Sequence, residues 1–182
     1  MKFCSECGAD VALKIPAGDN RERAVCTVCD TIHYSNPRII AGCLPVWGQQ
    51  VLLCKRAIEP RLGYWTLPAG FMENGETVPQ AAGRETVEEA NARVSNLHLY
   101  AVFSLPHISQ VYMFYRAELD DLDFSAGEES LEVALFDEQD IPWDNLAFPV
   151  MTKTLKRYFD DRKTGLFPTT DEVVEFKRRP RS

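Results

Sequence analysis

Three glutamates lie at a spacing that would bring their carboxylates together on one helix. Arg84-Glu85 is followed by Glu88-Glu89, and residues three and four apart lie on the same face of an α-helix. Like charges at this spacing destabilise a helix by about 0.2–0.5 kcal/mol per pair, and the helix dipole disfavours anions in the C-terminal half. Mg²⁺, a hard cation that prefers oxygen ligands, would offset this repulsion. The sequence therefore predicts a Mg²⁺ site, whereas the alternative, a solvated acidic face, leaves the repulsion uncompensated.

Four of the six cysteines form two pairs with a metal-binding spacing. Cys4 and Cys7 make one pair, Cys26 and Cys29 make the other, and 18 residues separate the two pairs. A two-residue spacer lets both sulfurs of a pair point inward on a tight turn, and four thiolates satisfy tetrahedral Zn²⁺. The alternative, two redox-active motifs, lacks the βαβ context that such motifs need. Because thiolates fill all four positions, we expect the zinc to be structural.

The composition is typical of a soluble globular protein and argues against some classes of function. The 182 residues are 45% hydrophobic and 26% charged, and the net charge is −7. A negative chain is a poor electrostatic match for nucleic acid or an anionic membrane. No apolar run reaches the length of a membrane span, and the first residues lack the apolar stretch of a signal peptide. We therefore expect a cytoplasmic protein, in which Cys43 and Cys54, each within an apolar run, are buried thiols.

The pattern around these residues predicts strands and two helices. Residues 1–33 contain few large aliphatic side chains and need the zinc to fold. The expected elements after them are a hairpin over 38–56, strands near 64–67, 97–105, 110–119 and 131–136, and helices over 77–91 and 149–163. Thr77 and Gln80 form a capping-box pattern, and Asn91 suits a left-handed helix end. The prediction is an α+β fold with a zinc ribbon over 1–33, a main domain over 34–167 and a C-terminal tail over 168–182. The tail ends in a basic run, KRRPRS, which is expected to be a frayed, solvated terminus.

The segment from Leu67 to Ala92 resembles the Nudix box, G-x5-E-x7-R-E-U-x-E-E-x-G-U, in which U is aliphatic. The fixed positions are matched by Gly70, Glu76, Arg84, Glu85, Glu88 and Glu89. Thr86, Asn91 and Ala92 depart from the pattern, but none of these departures removes a charged group. The resemblance implies an α/β/α sandwich that hydrolyses a nucleoside diphosphate linked to another group, with Mg²⁺ or Mn²⁺ as cofactor.

The resemblance also assigns roles to residues of this chain. Glu85 and Glu89 are the expected Mg²⁺ ligands, with Glu88 close behind and the backbone carbonyl of Ala69 or Gly70 completing the coordination. Arg84 and Glu76 are expected to pair and to brace the loop against the helix. The proton of the attacking water goes either to Glu85 or to an acid of a later loop. The candidates in that loop are Glu128, Glu129 and Glu132, of which Glu129 and Glu132 are favoured; an exposed acidic turn is the alternative.

Beyond the box, the chain is similar to the zinc-ribbon subgroup of the family, which includes enzymes acting on FAD and ADP-ribose. The implied products are AMP with FMN or with ribose 5-phosphate. Trp65, Arg38 and Arg56 are the predicted substrate-binding residues, because an aromatic ring stacks on a flat base and arginine binds phosphate. Other aromatic and basic side chains have the same potential, although a core or surface role is the alternative for each: Tyr64, Tyr112, Phe114, Lys55 and Arg61.

Other functions stay open at the level of sequence. The diphosphate substrate can instead be NADH, another nucleotide sugar or a capped RNA end. The chain can also be a ligand sensor without catalysis, but the retained glutamates and the lack of a helix-turn-helix segment favour an enzyme. We expect a small nucleotide as the partner, no membrane, no extended nucleic acid, and a homodimer, as is common in the resembling group.

Overall fold

Two units make up the chain, one over Met1–Pro37 and one from Arg38 onward. The computed structural model describes residues 1–175. The basic run at residues 177–182, which was expected to be frayed, therefore lies outside the described residues.

The N-terminal unit is a small antiparallel sheet with almost no apolar core. Its strands are β1 (Val11–Lys14), β2 (Arg23–Cys26) and β3 (Ile32–His33), in the spatial order β1-β2-β3. Only Cys4, Val25 and Cys26 are classed among the buried apolar residues of this unit. An apolar core of this size cannot offset the conformational entropy of ordering the segment.

Four cysteine sulfurs supply the missing stabilisation. The Sγ atoms of Cys4, Cys7, Cys26 and Cys29 lie within 4.8 Å of one another, with 3.7 Å between Cys4 and Cys29 and 3.4 Å between Cys7 and Cys26. Zinc–sulfur bonds of about 2.3 Å at tetrahedral angles place sulfurs about 3.8 Å apart, so the cluster fits zinc. A hydrogen bond between Thr31 and Cys29 is the main cause that lowers the pKa of the Cys29 thiol to about 6, which favours the ligating thiolate. The predicted structural zinc site is thus assembled by the fold.

The second unit is built on one mixed sheet. Its strands are β4 (Arg38–Trp47), β5 (Gln50–Arg56), β6 (Trp65–Thr66), β7 (Ala69–Phe71), β8 (Val94–Leu105), β9 (Gln110–Leu119), β10 (Ser130–Phe136) and β11 (Thr170–Val173). The spatial order is β10-β5-β4-β9-β8-β11, with β6 paired to β5 and β7 paired to β4. Strand β4 runs parallel to β9 and antiparallel to β5.

Two helices cover opposite faces of this sheet. Helix α1 (Val78–Ala90) packs Ala81 and Ala82 against Ala41 and Cys43 of β4. Helix α2 (Pro149–Arg162) packs its apolar stripe on the other face, against alternate residues of β4, β5 and β9. Because successive strand residues point to opposite faces, one run of apolar residues in β4 serves both cores. The α+β prediction and the α/β/α sandwich are confirmed.

The ends of α1 follow its sequence. Thr77 and Gln80 form the capping box, and Asn91 ends the helix in the left-handed region at φ 47°. The hydroxyl of Thr86 is buried and donates to the carbonyl of Ala82 at 2.8 Å, so this departure from the motif adds no unsatisfied polar group. The thiol of Cys43 is buried and donates to the same carbonyl, and Cys54 is also buried, as predicted. The helix therefore tolerates the departures from the motif at Thr86 and Asn91.

Strand β11 was not predicted from the sequence. It pairs in parallel with β8, from Thr170 beside Ala101 to Val173 beside Ser104. Lys153 of α2 also pairs with Glu172 at 2.7 Å. The strand was missed because its partners on β8 lie about 70 residues away in sequence. Among the described residues, neither helix has the length and apolar character needed to span a membrane.

We predict that removing zinc unfolds residues 1–37 and leaves residues 38–175 folded. The N-terminal unit has too little apolar core to stay ordered without the metal, whereas the larger unit has its own core. Hydrogen exchange with and without a zinc-selective chelator measures this directly, with bound zinc quantified in parallel. Cys43→Ala, which removes a buried thiol outside the cluster, should keep its zinc and its protection. Unchanged protection of residues 1–37 in the stripped protein would contradict a structural role for zinc.

Candidate active site

A glycine brings the backbone of β7 against a carboxylate of α1. Gly70 pairs with Ala41 of β4 and lies so close to Glu85 that a Cβ atom on Gly70 would overlap the Glu85 carboxylate. The requirement here is close approach, because Gly70 has no positive φ. Strand β7 and helix α1 can therefore place backbone and carboxylate oxygens side by side.

Arg84 connects the loop before α1 to the helix. Its guanidinium binds both carboxylate oxygens of Glu76 and the carbonyl of Phe71. The same side chain also pairs with Glu85 and with Glu88, each at 2.8 Å. Arg84 is the main cause that lowers the pKa of Glu76, so this pair is ionised and fixed. Arg84 and Glu76 thus lie where the bracing role places them, and that role is a proposal.

Glu85 and Glu89 are buried carboxylates, although they lie one turn apart. They are 8% and 6% exposed, while the side chain of Glu88 is 58% exposed. Burial is the main cause that raises the pKa of both, and that of Glu89 rises to about 8, with repulsion from Glu85 as the second cause. Within residues 1–175, Oε2 of Glu89 is buried and has no hydrogen-bond partner. Buried acids in this state are typical of a cation site, and the donor set suits Mg²⁺.

The loop after β9 is tied to the end of α1. The Asn91 amide donates to Ser125 and Ala126, and the amide of Gly127 donates to the carbonyl of Glu89 at 3.0 Å. A Cβ atom on Gly127 would overlap the backbone carbonyl of Glu88. Sequence reasoning missed the role of Gly127, although a glycine within an acidic loop was a usable signal. This packing brings the loop that carries Glu129 to the buried carboxylates of Glu85 and Glu89.

The two favoured candidates for the base separate in the structure. Glu129 is exposed, and its charge raises the pKa of both Glu85 and Glu89, although it is not the main cause for either. Glu132 instead pairs with Lys55 at 3.3 Å on the strand next to it. The register between β10 and β5 shifts between Ser130 and Glu132, so spacing alone did not indicate which acid faces the site. Glu129 is the member of the pair that the fold brings to the buried carboxylates.

Cations and aromatic rings lie around the same carboxylates. The charge of Arg56 lowers the pKa of Glu89 against the effect of burial, and its guanidinium carbon lies 5.5 Å from the ring centre of Phe148. Arg38 lies 4.7 Å from the ring centre of Phe71. Burial is the main cause that raises the pKa of the half-buried Tyr112, and the charges of both arginines lower it. The structure thus places Arg38 and Arg56 next to aromatic rings. The sequence analysis predicted no role for Phe71 or Phe148.

The structure places Trp65, a predicted substrate-binding residue, in the main core, and its role in binding stays a prediction. Its side chain is 7% exposed and belongs to the main core. The ring packs edge-on against Phe136 at 4.8 Å, and Lys55 lies 5.6 Å from its centre. The strand that carries it has only two residues, too few for an alternating pattern to show which face is buried. Phe71, which is 48% exposed, offers an open aromatic face.

Comparison with known proteins covers both units. Residues 2–35 match the family described as Nudix N-terminal, a zinc ribbon, and residues 36–161 match the NUDIX domain. The crystal structure of a NUDIX hydrolase from Nitrosomonas europaea is 59% identical, with a TM-score of 0.92, and the match covers 96% of this chain and 99% of that one. A bifunctional NMN adenylyltransferase/ADP-ribose pyrophosphatase from Francisella tularensis shares the fold at 18% identity, with a TM-score of 0.59 over 72% of this chain and 42% of that one.

The matching curated proteins are longer than this chain. The NAD-capped RNA hydrolase NudC of Vibrio vulnificus is 32% identical over 161 residues, which are 86% of this chain and 57% of that protein. The chain spans about half the length of the curated relatives it matches. Together with the site geometry, these matches decide the family. The chain belongs to the Nudix hydrolase family, whose members are hydrolases that use Mg²⁺ or Mn²⁺, and its N-terminal unit is the family's zinc ribbon.

Proposed function

We propose that this chain hydrolyses the diphosphate bond between an adenylate and a second group, with ADP-ribose and FAD as the first candidates. The products are AMP with ribose 5-phosphate or with FMN. The observation that carries the proposal is the pair of buried carboxylates, Glu85 and Glu89, with the uncompensated Oε2 atom of Glu89 and the charge of Arg56 beside it. This arrangement suits a divalent cation and the diphosphate that binds it.

Glu85 and Glu89 are the proposed metal ligands. The exposed Glu88 joins them by leaving its ion pair with Arg84. Burial is the main cause that raises the pKa of Glu89, and a backbone hydrogen bond from Ala69 lowers it, so the Ala69 backbone lies at the site and can supply its carbonyl. When bound, Mg²⁺ neutralises the diphosphate and makes a bound water acidic. Gly70 leaves the space in which Glu85 lies, and Arg84 keeps that carboxylate oriented.

Arg56 and Glu129 supply the remaining chemistry. Arg56 contributes a fixed positive charge toward the diphosphate, because its Nε is held by the carbonyl of Pro60 at 2.9 Å. Glu129 accepts the proton that the attacking water loses, since it is exposed and acts electrostatically on both buried acids. Water adds to one phosphorus, and the bond from that phosphorus to the bridging oxygen breaks.

Aromatic side chains near Arg38 and Arg56 provide the surface for a flat ring. Phe71 is exposed beneath Arg38, and Tyr112 lies within reach of both arginine charges. A base stacked here gains from both ring contact and the neighbouring cation. This surface suits adenine, flavin or nicotinamide alike, so it supports a dinucleotide-type substrate without choosing among them.

A second candidate is the hydrolysis of NADH or of an NAD-capped RNA end. The observation that favours it is the 32% identity to the NAD-capped RNA hydrolase NudC of Vibrio vulnificus. The net charge of −7 counts against tight binding of a long RNA chain. The homodimer and the cytoplasmic location expected from the sequence stay predictions.

We predict that Glu89→Gln stabilises the metal-free protein while it abolishes metal-dependent turnover. The folded-state pKa of Glu89, about 8, lies above the unfolded value of about 4.3, so metal-free wild type loses stability as the pH rises from about 5 to 8. Glutamine does not ionise and removes that loss. Thermal melts over this pH range, with and without Mg²⁺, should show a Mg²⁺-induced gain in Tm for wild type only.

Turnover of Glu89→Gln should fall by more than about 100-fold, beyond the loss typical of residues that only orient a metal ligand. The control is Lys163→Ala, an exposed lysine just after helix α2 that lies outside the carboxylate site. Near-normal activity of Glu89→Gln, or a Mg²⁺-induced gain in Tm equal to that of wild type, would contradict the ligand role.

We predict that Gly70→Ala disables the site without unfolding the protein. The three atoms nearest to the added methyl group all belong to the flexible end of the Glu85 side chain, so we expect the carboxylate to move while the backbone stays in place. Mn²⁺ binding, measured by calorimetry, should weaken by at least about tenfold. Gly83→Ala is the matched control, because its Cβ would meet no atom within 4 Å and alanine favours a helix by roughly 0.5–1 kcal/mol. Equal Mn²⁺ affinity in the two variants would contradict the proposal that Gly70 leaves the space for a metal-binding Glu85 carboxylate.

The substrate is tested with a panel of ADP-ribose, FAD, NADH and NAD-capped RNA in Mg²⁺ or Mn²⁺. The measurement is release of AMP from the first three compounds and of nicotinamide mononucleotide from the capped RNA, whose adenylate stays on the RNA. We expect kcat/KM for ADP-ribose or FAD to exceed that of the other compounds. Arg56→Ala should lower kcat/KM by about tenfold or more, the loss of one charge-assisted contact. Lys163→Ala, at the far end of α2, should change nothing. Preference for NADH or capped RNA favours the second candidate, and no hydrolysis of any compound refutes both.

A further inference from the structure

A groove of about 460 Å³ lies at the start of helix α2, outside the carboxylate site. Three basic side chains, Arg61, Lys153 and Lys156, line it together with Phe148 and Thr152. The first turn of α2 contains no acidic residue. In a chain with a net charge of −7, this is a local concentration of positive charge facing a concave surface.

Two of the three cations have aromatic neighbours instead of carboxylates. The guanidinium of Arg61 lies 5.1 Å from the ring centre of Tyr64, and the ammonium of Lys156 lies 5.8 Å from that of Trp143. Within the described part of the chain, neither forms an ion pair. A ring orients a cation without neutralising it, so both charges stay available to an anion. Lys153 differs, because it pairs with Glu172.

The groove adjoins the residues proposed to bind the diphosphate. Phe148, which lines the groove, lies below the guanidinium of Arg56. Backbone hydrogen bonds from Arg56 to Tyr64 and from Gly63 to Arg56 close the loop that carries Arg61. The amide of Ala147 also donates to Trp65 at 2.8 Å, which fixes the segment before α2 to strand β6. The groove therefore lies next to the carboxylate site: Arg56 acts on Glu89 through its charge and lies over Phe148, which lines the groove.

We propose that this groove binds a phosphate group that the substrate carries outside its scissile diphosphate. Arginine binds phosphate oxygens in pairs and lysine adds a point charge, a combination suited to a phosphate more than to a neutral sugar. The inference rests on the proposed function, because it places the groove beside the diphosphate site. Its ligand is either a phosphomonoester on a ribose or a phosphodiester that continues into a nucleotide chain. In both cases the groove binds a phosphate that is additional to the two phosphates of the scissile diphosphate.

Equilibrium binding of compounds that are not hydrolysed tests the groove. Calorimetry in Mg²⁺ compares AMP with adenosine 2′,5′-bisphosphate, adenosine 3′,5′-bisphosphate and the dinucleotide pApA. At least one of the three should bind wild type about tenfold more tightly than AMP, as expected for a charge-assisted contact. Arg61→Ala and Lys156→Ala should each remove most of that gain and leave the affinity for AMP unchanged. Lys163→Ala, an exposed lysine outside the groove, should keep it.

Tighter binding of a bisphosphate identifies a phosphomonoester as the ligand, and tighter binding of pApA alone identifies a phosphodiester. The proposal is overturned if none of the three binds more tightly than AMP, or if the gain survives both substitutions. The two proposals can fail separately. Absence of hydrolysis across the substrate panel refutes the enzymatic function, whereas the affinity ratio in wild type and variants decides the groove.

Discussion

The burial of two neighbouring carboxylates is the constraint on which the second unit's architecture depends. Glu85 and Glu89 lie one turn apart on α1, nearly excluded from solvent, with one oxygen lacking a partner. Removing charged groups from water costs several kcal/mol per ion unless an opposite charge compensates it. Arg84 compensates Glu85 in part, but its guanidinium is shared with Glu76 and Glu88. A divalent cation is the partner that this arrangement lacks.

The surrounding structure can be understood from that requirement. Alanines on α1 let the helix lie close to β4, which brings the carboxylates to the strand ends. Gly70 and Gly127 are the two places where backbone approaches too closely for a side chain. The zinc ribbon solves a related problem by other means, since its four sulfurs replace an apolar core that residues 1–37 do not have. In both units a metal supplies what the side chains alone cannot.

The sequence predicted the parts whose interactions are local. The capping box of Thr77 and Gln80, the left-handed Asn91 and the two cysteine pairs all depend on residues a few positions apart. It failed where the partner is distant. Strand β11 depends on pairing with β8, and Glu132 is taken by Lys55 across the sheet. A two-residue strand gives no periodicity to show that Trp65 lies in the core, and the contact between Arg56 and Phe148 joins distant residues. Local spacing thus predicts the helix ends and the cysteine cluster well, whereas the contacts between distant residues need the folded chain.

The central claim is that a divalent cation compensates the buried acids, and proton release on metal binding tests it most directly. At pH 7 metal-free Glu89, with a pKa of about 8, is mostly protonated, so a ligating carboxylate must lose that proton. Calorimetry of Mn²⁺ binding in buffers of different ionisation enthalpy measures the number of protons released. The account predicts close to one proton per site at pH 7 and little release at pH 9. Mn²⁺ binding without proton release at pH 7 would contradict it.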